Sequence, residues 1–329
     1  MTLPAPDSLP DFQSMFPEEE ACQDYLFALR WPKGFRCPAC RSKRFYWHRP
    51  RRLVKCAKCN HQVYLTAGTI MHGSHTPLLT WFYAAYLATT YTPGLSAVQF
   101  QRQLGLSRYE TAFQILHKLR GAMVDPDRDQ LRGVVEADET FVGGAAPGQK
   151  GGRSIETKTA VVGAVEVRRK RGEEGTYAGR LRLRAVGDTA GASLEPFIAD
   201  HVARGTRVHT DGWGGYSGLL EMGYRHKPVV QAELPIIHRE FGNLKTWLKG
   251  THHGRVERQH LQAYLNEFVF RHNRRFWPFS AFRRVLSLGL EAPVQAYRQL
   301  YDADEFGRDI HLAQPDKHTR ANGFGRGVA

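Results

Sequence analysis

Cysteine is scarce in this 329-residue chain, and its placement argues against a disulfide-stabilised secreted protein. Five cysteines are present, and four of them fall in two C-x-x-C pairs, which indicates a metal site in a reducing compartment. Long apolar runs are also lacking: no stretch of about 18 apolar residues occurs, so no membrane-spanning helix is expected. Residues 1–7 lack the charged start and apolar core of a signal peptide, so we expect a cytoplasmic protein.

Acidic residues are also few relative to basic ones. The chain has 32 Asp and Glu against 46 Lys and Arg, and its net charge of +14 predicts a polyanionic partner. Residues 41–58 contain eight Lys or Arg and no acid, interleaved with Tyr46 and Trp47. An unbroken positive sign beside aromatic rings favours contact with a phosphate backbone over a charged face that is only solvated. Residues 271–275, Arg-His-Asn-Arg-Arg, form a second basic cluster.

The two cysteine pairs have the spacing of a four-thiolate zinc site. Cys37 and Cys40 are followed, after fifteen residues, by Cys56 and Cys59, which fits C-x2-C-x15–20-C-x2-C. Short β-prone runs surround the pairs, so we predict a zinc ribbon with strands near residues 45–47, 53–54 and 63–65. Cys22 lies on the apolar face of an expected helix and is interpreted as a packed thiol.

Helical patterns flank the ribbon. Residues 1–15 are rich in proline and are expected to be loose, whereas residues 77–122 are predicted to be helical with a break at Pro93-Gly94. Ser96-Ala-Val-Gln99 and Ser107-Arg-Tyr-Glu110 both have the form of a capping box, which marks two helix starts. The tight turn between these helices fits a helix-turn-helix, and a plain helical hairpin fits nearly as well.

Two acids interrupt strand-like sequence farther along the chain. Asp138 follows Val134-Val-Glu-Ala, and Asp211 ends the β-prone run Thr206-Arg-Val-His-Thr before a Gly-rich turn. A carboxylate in a buried strand is costly unless something compensates its charge, and a bound cation does so. We therefore predict that Asp138 and Asp211 converge to hold divalent metal; the alternative is two ordinary surface acids.

The order of elements around these acids indicates an α+β domain. Strands are expected at 159–167 and at 180–186, the latter with one basic face, and together with the Asp138 strand they form an antiparallel meander. The Gly-rich loop at 143–158 is not a P-loop, because no G-K-[ST] follows a spaced glycine. A fourth strand is expected at 207–210. Helices are predicted at residues 193–202, 213–222, 234–248, 259–271, 280–290 and 293–301.

This order of strands and helices matches the RNase H-like fold, and at this point the chain resembles a known family, the zinc-ribbon insertion-sequence transposases with a DDE-type catalytic domain. The resemblance covers roughly residues 16–290. Its motifs are the two cysteine pairs, Val135-Glu-Ala-Asp-Glu-Thr-Phe-Val-Gly-Gly144, Thr210-Asp-Gly-Trp-Gly-Gly-Tyr216, Asn243-Leu-Lys245, Gly250-Thr-His-His253 and Phe268-Val-Phe-Arg-His-Asn-Arg-Arg275.

The resemblance implies a multidomain α+β chain. Residues 1–30 would be an N-terminal arm and helix, 31–72 the zinc ribbon, 73–130 a helical, helix-turn-helix-like DNA-binding segment and 131–303 an RNase H-like α/β catalytic domain with a mixed sheet. Beyond it we expect a disordered tail at residues 304–329, where the composition turns polar and Gly-rich.

The resemblance also implies a reaction: DNA strand cleavage and strand transfer at the terminal inverted repeats of an insertion sequence. Two divalent ions, Mg²⁺ or Mn²⁺, would bridge Asp138 and Asp211, and a structural Zn²⁺ would occupy the ribbon. The partner would be double-stranded DNA, bound in the nucleoid by a dimer or higher assembly. The basic residues assigned to DNA are Arg41, Lys43, Arg44, Arg51, Arg52, Arg271, Arg274 and Arg275.

The third catalytic ligand departs from the family pattern, in which a Glu precedes a Lys by seven residues. Lys245 fits the Lys, and the residue seven positions earlier is His238; Asn243 is the other candidate. Glu240, Glu257 and Glu267 are fallback acids. Two rival functions stay open: a DNA-binding regulator with a degenerate catalytic domain, which the missing Glu supports, and an RNase H-like nuclease or resolvase.

Overall fold

The computed structural model of the chain describes residues 3–143, 158–170, 172, 174–253 and 256–294. The predicted tail and nearly all of the predicted Gly-rich loop and of the last predicted helix lie outside these residues. The described α-helices are α1 Leu9–Met15, α2 Glu19–Arg30, α3 Leu78–Thr90, α4 Ala97–Gln103, α5 Tyr109–Ala122, α6 Gly191–His201, α7 Pro235–His252, α8 Leu261–His272 and α9 Pro278–Glu291. The strands are β1 Phe45–His48, β2 Leu53–Cys56, β3 Gln62–Tyr64, β4 Val134–Gly143, β5 Lys158–Arg169, β6 Thr176–Val186, β7 Arg207–Asp211 and β8 Arg225–Val229.

The predicted zinc ribbon is confirmed. Strands β1, β2 and β3 form an antiparallel three-stranded sheet in that order. Its fully buried apolar set is small and consists of Phe35, Cys37, Val54 and Cys56. A core of this size gives little hydrophobic stabilisation, so the ribbon needs a further source of stability, such as a metal ion that links its cysteines.

A helical core surrounds Phe12, in a segment that was expected to be loose. Ser8 accepts a hydrogen bond from the backbone N–H of Asp11 at 3.2 Å and so caps α1, while the ring of Phe12 is fully buried. That prediction for residues 1–15 was wrong, because burying one aromatic ring among those of α3 and α9 orders the helix that carries it.

The helical segment follows one predicted capping box and not the other. The hydroxyl of Ser96 accepts from the N–H of Gln99 at 3.2 Å and starts α4, as predicted. The second box does not form, because α5 begins one residue later, with Arg108 at its cap and no side-chain cap bond. Most residues of α5 are buried against neighbouring elements, which favours the helical hairpin over a helix that enters a DNA groove.

The larger sheet has five strands in the order β6-β5-β4-β7-β8. Strands β4, β5 and β6 pair antiparallel, as the predicted meander requires, and β4-β7 and β7-β8 pair parallel. The mixed sheet and the strand order give the RNase H-like fold that was predicted. Strand β8 was not predicted; it contains Pro228 and lies at the sheet edge, where a missing N–H is tolerated.

Helices cover both faces of this sheet. α6 packs on the face that carries Val135 and Ala137, while α7 and α8 pack on the face that carries Val161 and Val165. The predicted helix over 213–222 is a shorter 3₁₀ helix, Gly214–Leu219. α9 joins the core of the N-terminal helices by packing on α3. No helix among the described residues is long and apolar enough to cross a membrane.

Candidate active site and zinc site

Strand register brings the two predicted aspartates together. The parallel ladder of β4 and β7 ends where Glu136 pairs with His209, and Asp138 and Asp211 each lie two residues farther along. Beyond that point the pairing stops, so both carboxylates lie at the place where the strands separate. In an open α/β sheet such a position at the carboxyl ends of parallel strands is where ligands bind.

A third carboxylate, which the sequence analysis did not assign, completes this group. One oxygen each of Asp138, Glu139 and Asp211 lies within 4.8 Å of the other two. Glu139 is next to Asp138 and points to the opposite face of β4, where the buried Tyr216 hydroxyl donates to its Oε2 at 2.9 Å. Two adjacent acids within one β-prone run were the signal available in the sequence, and only Asp138 was assigned.

The environment of these acids opposes their ionisation. Burial raises the pKa of Asp138, and the neighbouring Asp211 adds to that effect. Burial also raises the pKa of Glu139 to about 7, with contributions from the charges of Asp138 and Asp211. Burial and the charge of Glu139 raise the pKa of Tyr216 well above its usual value, so its hydroxyl is a neutral donor. Divalent cations bound by oxygen ligands would relieve this repulsion, so the donor set fits Mg²⁺ or Mn²⁺.

His238 joins the site from α7. Its Nε2 donates to Oδ2 of Asp138 at 2.8 Å. The position of this ring depends on the contacts that fix the N-terminus of α7. The buried carboxylate of Glu136 accepts hydrogen bonds from the N–H groups of Ile236 and Ile237 at 2.9 and 2.8 Å. Glu136 and Asp138 lie on one face of β4, so the cap of α7 sets the register that places His238 beside Asp138.

Lys245 lies two turns after His238 on the same helix. Together with Asp138, Glu139 and His238 it lines an open cleft of about 590 Å³. Asn243, the other predicted candidate, is not among the residues that line this cleft, and its amide donates to Glu240 at 3.3 Å. The spacing of seven residues therefore brings His238 and Lys245 to one cleft.

The fallback acids have contacts elsewhere. The Glu240 carboxylate is buried and lies 3.2 Å from Nδ1 of His272. Glu267 forms a buried ion pair with Arg120 at 2.7 Å. The side chain of Glu257 is 72% exposed and lies near His260. The cluster formed by Asp138, Glu139 and Asp211 includes none of the three.

The four predicted zinc ligands also converge. The sulfurs of Cys37, Cys40, Cys56 and Cys59 all lie within 4.8 Å of one another, with Cys37–Cys59 at 3.6 Å and Cys40–Cys56 at 3.5 Å. A tetrahedral ion with zinc–sulfur bonds of about 2.3 Å requires sulfur–sulfur distances of about 3.8 Å. This arrangement supports a structural zinc site. Cys22 is buried away from it, as predicted.

The basic residues assigned to DNA fall into two groups. On the ribbon, Arg41, Lys43, Arg44 and Arg51 are exposed, while Arg52 is paired with Glu19 at 3.0 Å.

At the end of α8 and just after it, the side chains of Arg271, Arg274 and Arg275 donate to backbone carbonyls, those of Pro93, Phe270 and His272 among them. The exposed Phe276 and Trp277 follow this second group.

Comparisons with known proteins match both parts of the chain that carry these sites. The ISXO2-like transposase domain matches residues 130–273, which include Asp138, Asp211 and Lys245, and the transposase zinc-ribbon domain matches residues 17–62, which include all four zinc-site cysteines. An uncharacterized protein in transposable element ISH50 of Halobacterium salinarum is 27% identical over 223 residues, which are 63% of this chain and 71% of that protein. With its zinc ribbon, RNase H-like sheet and clustered acids, the chain belongs to the zinc-ribbon insertion-sequence transposases with a DDE-type catalytic domain.

Proposed function

We propose that this transposase performs metal-dependent DNA strand cleavage and strand transfer at the terminal inverted repeats of its insertion sequence. The observation that carries the proposal is the group of three carboxylates at the point where β4 and β7 separate. Phosphodiester transfer needs stabilisation of negative charge more than it needs a covalent intermediate, and such a group provides that stabilisation through bound cations.

The residues have distinct roles in this reaction. Asp138, Glu139 and Asp211 would hold divalent ions, Mg²⁺ or Mn²⁺. When bound, the ions lower the pKa of the attacking water or 3′-hydroxyl and stabilise charge on the leaving oxygen. His238 orients the Asp138 carboxylate through their 2.8 Å hydrogen bond. Lys245 contacts a phosphate oxygen from the wall of the same cleft.

The oligomeric state follows from the reaction, which acts on the two ends of the insertion element. Because both ends of an element must be cut together, we propose a dimer or higher assembly, acting on double-stranded DNA of the nucleoid in the cytoplasm. The exposed basic residues of the ribbon, Arg41, Lys43, Arg44 and Arg51, supply contacts to the phosphate backbone.

A strand-transfer assay tests the proposal. The purified protein is mixed with pre-cut terminal repeats, plasmid target and Mg²⁺ or Mn²⁺, and joined products are resolved on a gel. Asp138→Asn, which keeps the size of the side chain and removes its charge, is expected to reduce joining at least about 100-fold. Glu221→Gln removes an exposed acid and serves as the matched control. Unchanged joining by the Asp138 variant would refute the assigned site.

The presence of His238 where the family has Glu favours one second candidate, a DNA-binding regulator without catalysis. A neutral imidazole holds Mg²⁺ less tightly than a carboxylate does. In the same assay, a regulator binds the repeats and forms no cut or joined product with either metal. A nuclease or resolvase would instead cleave branched DNA or RNA–DNA hybrids without joining.

A further inference from the structure

A second cavity, of about 340 Å³, lies beside the edge strand β6. Its charged lining consists of Arg128, Arg180, Arg182, Arg274, Asp125 and Asp129. We call these four arginines the arginine pocket. They come from the α5–β4 connection, from β6 and from the turn after α8, so the fold assembles the pocket from distant segments. None of these residues lines the cleft of Asp138 and Lys245.

Strand alternation accounts for the buried arginines. In Arg180-Leu-Arg-Leu-Arg184, the two leucines pack into the core under α7 and α8, and the arginines take the opposite face of β6. Arg182 is only 4% exposed, and its guanidinium donates to two backbone carbonyls, those of Leu181 and Asp129. A buried cation needs a compensating negative charge, and two carbonyl dipoles give only part of it.

The carboxylates near the arginine pocket form ion pairs with Arg180 or with arginines outside the pocket. Glu166 accepts from Arg168 at 2.6 Å and from Arg180 at 2.7 Å. Asp125 pairs with Arg284 at 2.5 Å. Within the described part of the chain, neither Arg182 nor Arg274 has a carboxylate within ion-pair distance.

Charge repulsion inside the pocket gives an independent sign of missing anionic charge. Burial and the charges of Arg128 and Arg180 lower the pKa of Arg182 to about 10. The side chain of Asp129 is 85% exposed and lies 3.4 Å from Arg180, so it contributes little. An anion that enters the cavity would relieve this repulsion, and guanidinium groups match the oxygens of a phosphate in geometry as well as in charge.

We propose that the arginine pocket binds a phosphate group of the DNA backbone, away from the catalytic acids. The proposal rests on the proposed function for its choice of DNA. Arg274 is followed within three residues by Phe276 and Trp277, which are 62% and 68% exposed, and exposed aromatic rings beside arginines suit a nucleotide chain better than a free ion. The sheet separates the pocket from the acids. Arg182 on β6 is in register with Ala164 on β5, and Ala164 is in register with Ala137 on β4, the residue before Asp138. Arg182 therefore lies two strands, about 10 Å, from the strand that carries Asp138.

Binding of a labelled DNA duplex to the full-length protein tests the proposal, with no divalent metal added so that chemistry is absent. The test variant is Arg182→Gln/Arg274→Gln. The matched control is Arg184→Gln, on the same face of β6 but paired with Asp200 and outside the pocket. We expect the test variant to bind about 10-fold more weakly at 0.1 M salt and to lose about one unit of the salt slope, while the control binds as the wild type does. DNA affinity and salt slope in the test variant equal to those of the control variant would overturn the assignment of the pocket to DNA.

Two further measurements keep the outcomes separate. If the double variant melts at a lower temperature than the control variant, Arg274→Gln alone is used, since this side chain lies at a helix end; weaker DNA binding supports the pocket and unchanged binding overturns it. Inorganic phosphate is tested by thermal shift: stabilisation of the wild type but not of the variant, together with unchanged DNA binding, assigns the pocket to free phosphate and overturns the DNA proposal. Failure of the wild type itself to bind DNA would instead overturn the proposed function.

Discussion

The carboxylates of Asp138, Glu139 and Asp211 have oxygens within 4.8 Å of one another and repel when they are charged. Hydrogen bonds from neighbouring groups partly offset this repulsion. His238 and the backbone N–H of Glu139 donate to Asp138, and Tyr216 donates to Glu139. These contacts hold the acids in place without neutralising them. At the scale of single residues, the three carboxylates therefore form a donor set that suits divalent cations.

The role of Glu139 leads to a first prediction. Glu139→Gln keeps the hydrogen bond to Tyr216 within reach but removes a charge from the acid cluster, so Mn²⁺ affinity is expected to fall about 10- to 100-fold. Titration calorimetry measures this directly, and strand transfer is expected to fall with it. Tyr216→Phe, which leaves all three acids, is expected to have the smaller effect. Equal metal affinity in the wild type and the Glu139 variant would exclude Glu139 as a ligand.

A second residue-scale prediction concerns Glu166. Burial alone would raise the pKa of Glu166, but hydrogen bonds from Arg180 and Arg168 lower it to about 2. A lowered carboxyl pKa stabilises the folded state above the unfolded value of 4.5, and that contribution is lost as the pH falls from 4.5 through 2. Glu166→Gln is expected to lower the free energy of unfolding by about 3 kcal/mol at pH 7 and to remove this dependence.

Denaturant unfolding at a series of pH values between 7 and 2 measures the effect, with Glu221→Gln as an exposed control. An acid-induced loss of stability as large in the Glu166 variant as in the wild type would contradict the assignment.

At the scale of elements, α7 is the helix that places His238 and Lys245 at the candidate active site. Its N-terminus is held by the Glu136 carboxylate, while Ile237, Phe241 and Leu244 bury its apolar face against the sheet. The helix carries His238 and Lys245, so the capping contact positions both residues of the cleft at once.

Glu136→Ala tests this control. Loss of the acceptor leaves two buried N–H groups at the start of α7 without partners, and the free energy of unfolding is expected to fall by about 2 kcal/mol. Glu136→Gln, which keeps one acceptor oxygen, is expected to lose about half as much. Strand transfer at a temperature where both variants are folded reports the placement of His238; full activity of the Ala variant would show that the cap does not position the site.

The zinc ribbon leads to an element-scale prediction of a different kind. Its buried apolar set contains four residues, and two of these are cysteines of the metal site, so metal removal is expected to unfold the ribbon. A zinc chelator should release one metal ion per chain and make residues 31–72 sensitive to protease, while the α7–α8 region stays protected. Cys37→Ser should reproduce the effect without chelator, whereas Cys22→Ser should retain the zinc. A ribbon that resists protease after loss of its metal would contradict this account.

At the scale of the whole molecule, a buried ion pair joins the helical core to the catalytic domain. Arg120 on α5 and Glu267 on α8 are 2.7 Å apart, and their side chains are 2% and 1% exposed. Arg120 also donates to the carbonyl of Leu95 and lies over the ring of Tyr264. Each partner compensates the desolvation of the other, so the pair fixes how these helices pack.

Breaking one half of this pair is expected to be costly. Glu267→Gln leaves the buried Arg120 charge unpaired, and the free energy of unfolding is expected to fall by about 3 kcal/mol or more. The double variant Arg120→Met/Glu267→Leu, which removes both charges, is expected to recover most of that loss. Denaturant unfolding of the three proteins measures the coupling. A double variant as unstable as the single one would show that packing, and not charge compensation, dominates.

Local sequence patterns were sufficient for several features. The spacing of Cys37, Cys40, Cys56 and Cys59 specified the zinc ribbon, because metal geometry constrains the sequence directly. Apolar periodicity and turn residues located β4 to β7, and acids in β-prone runs identified Asp138 and Asp211. Phe12 and β8 were missed, because a short helix is ordered by distant aromatic rings and an edge strand with Pro228 by its neighbour in the sheet.

The sequence by itself was enough to predict the four zinc-site cysteines, the strands β4 to β7 and the two aspartates, since each prediction depends on residue type and spacing along the chain. Only the tertiary structure decided that Glu139 joins Asp138, that Glu136 begins α7 and that four arginines meet at the edge of β6. The physical reason is the same in each case. These groups lie far apart in sequence or on opposite faces of a strand, and strand register and helix packing bring them together.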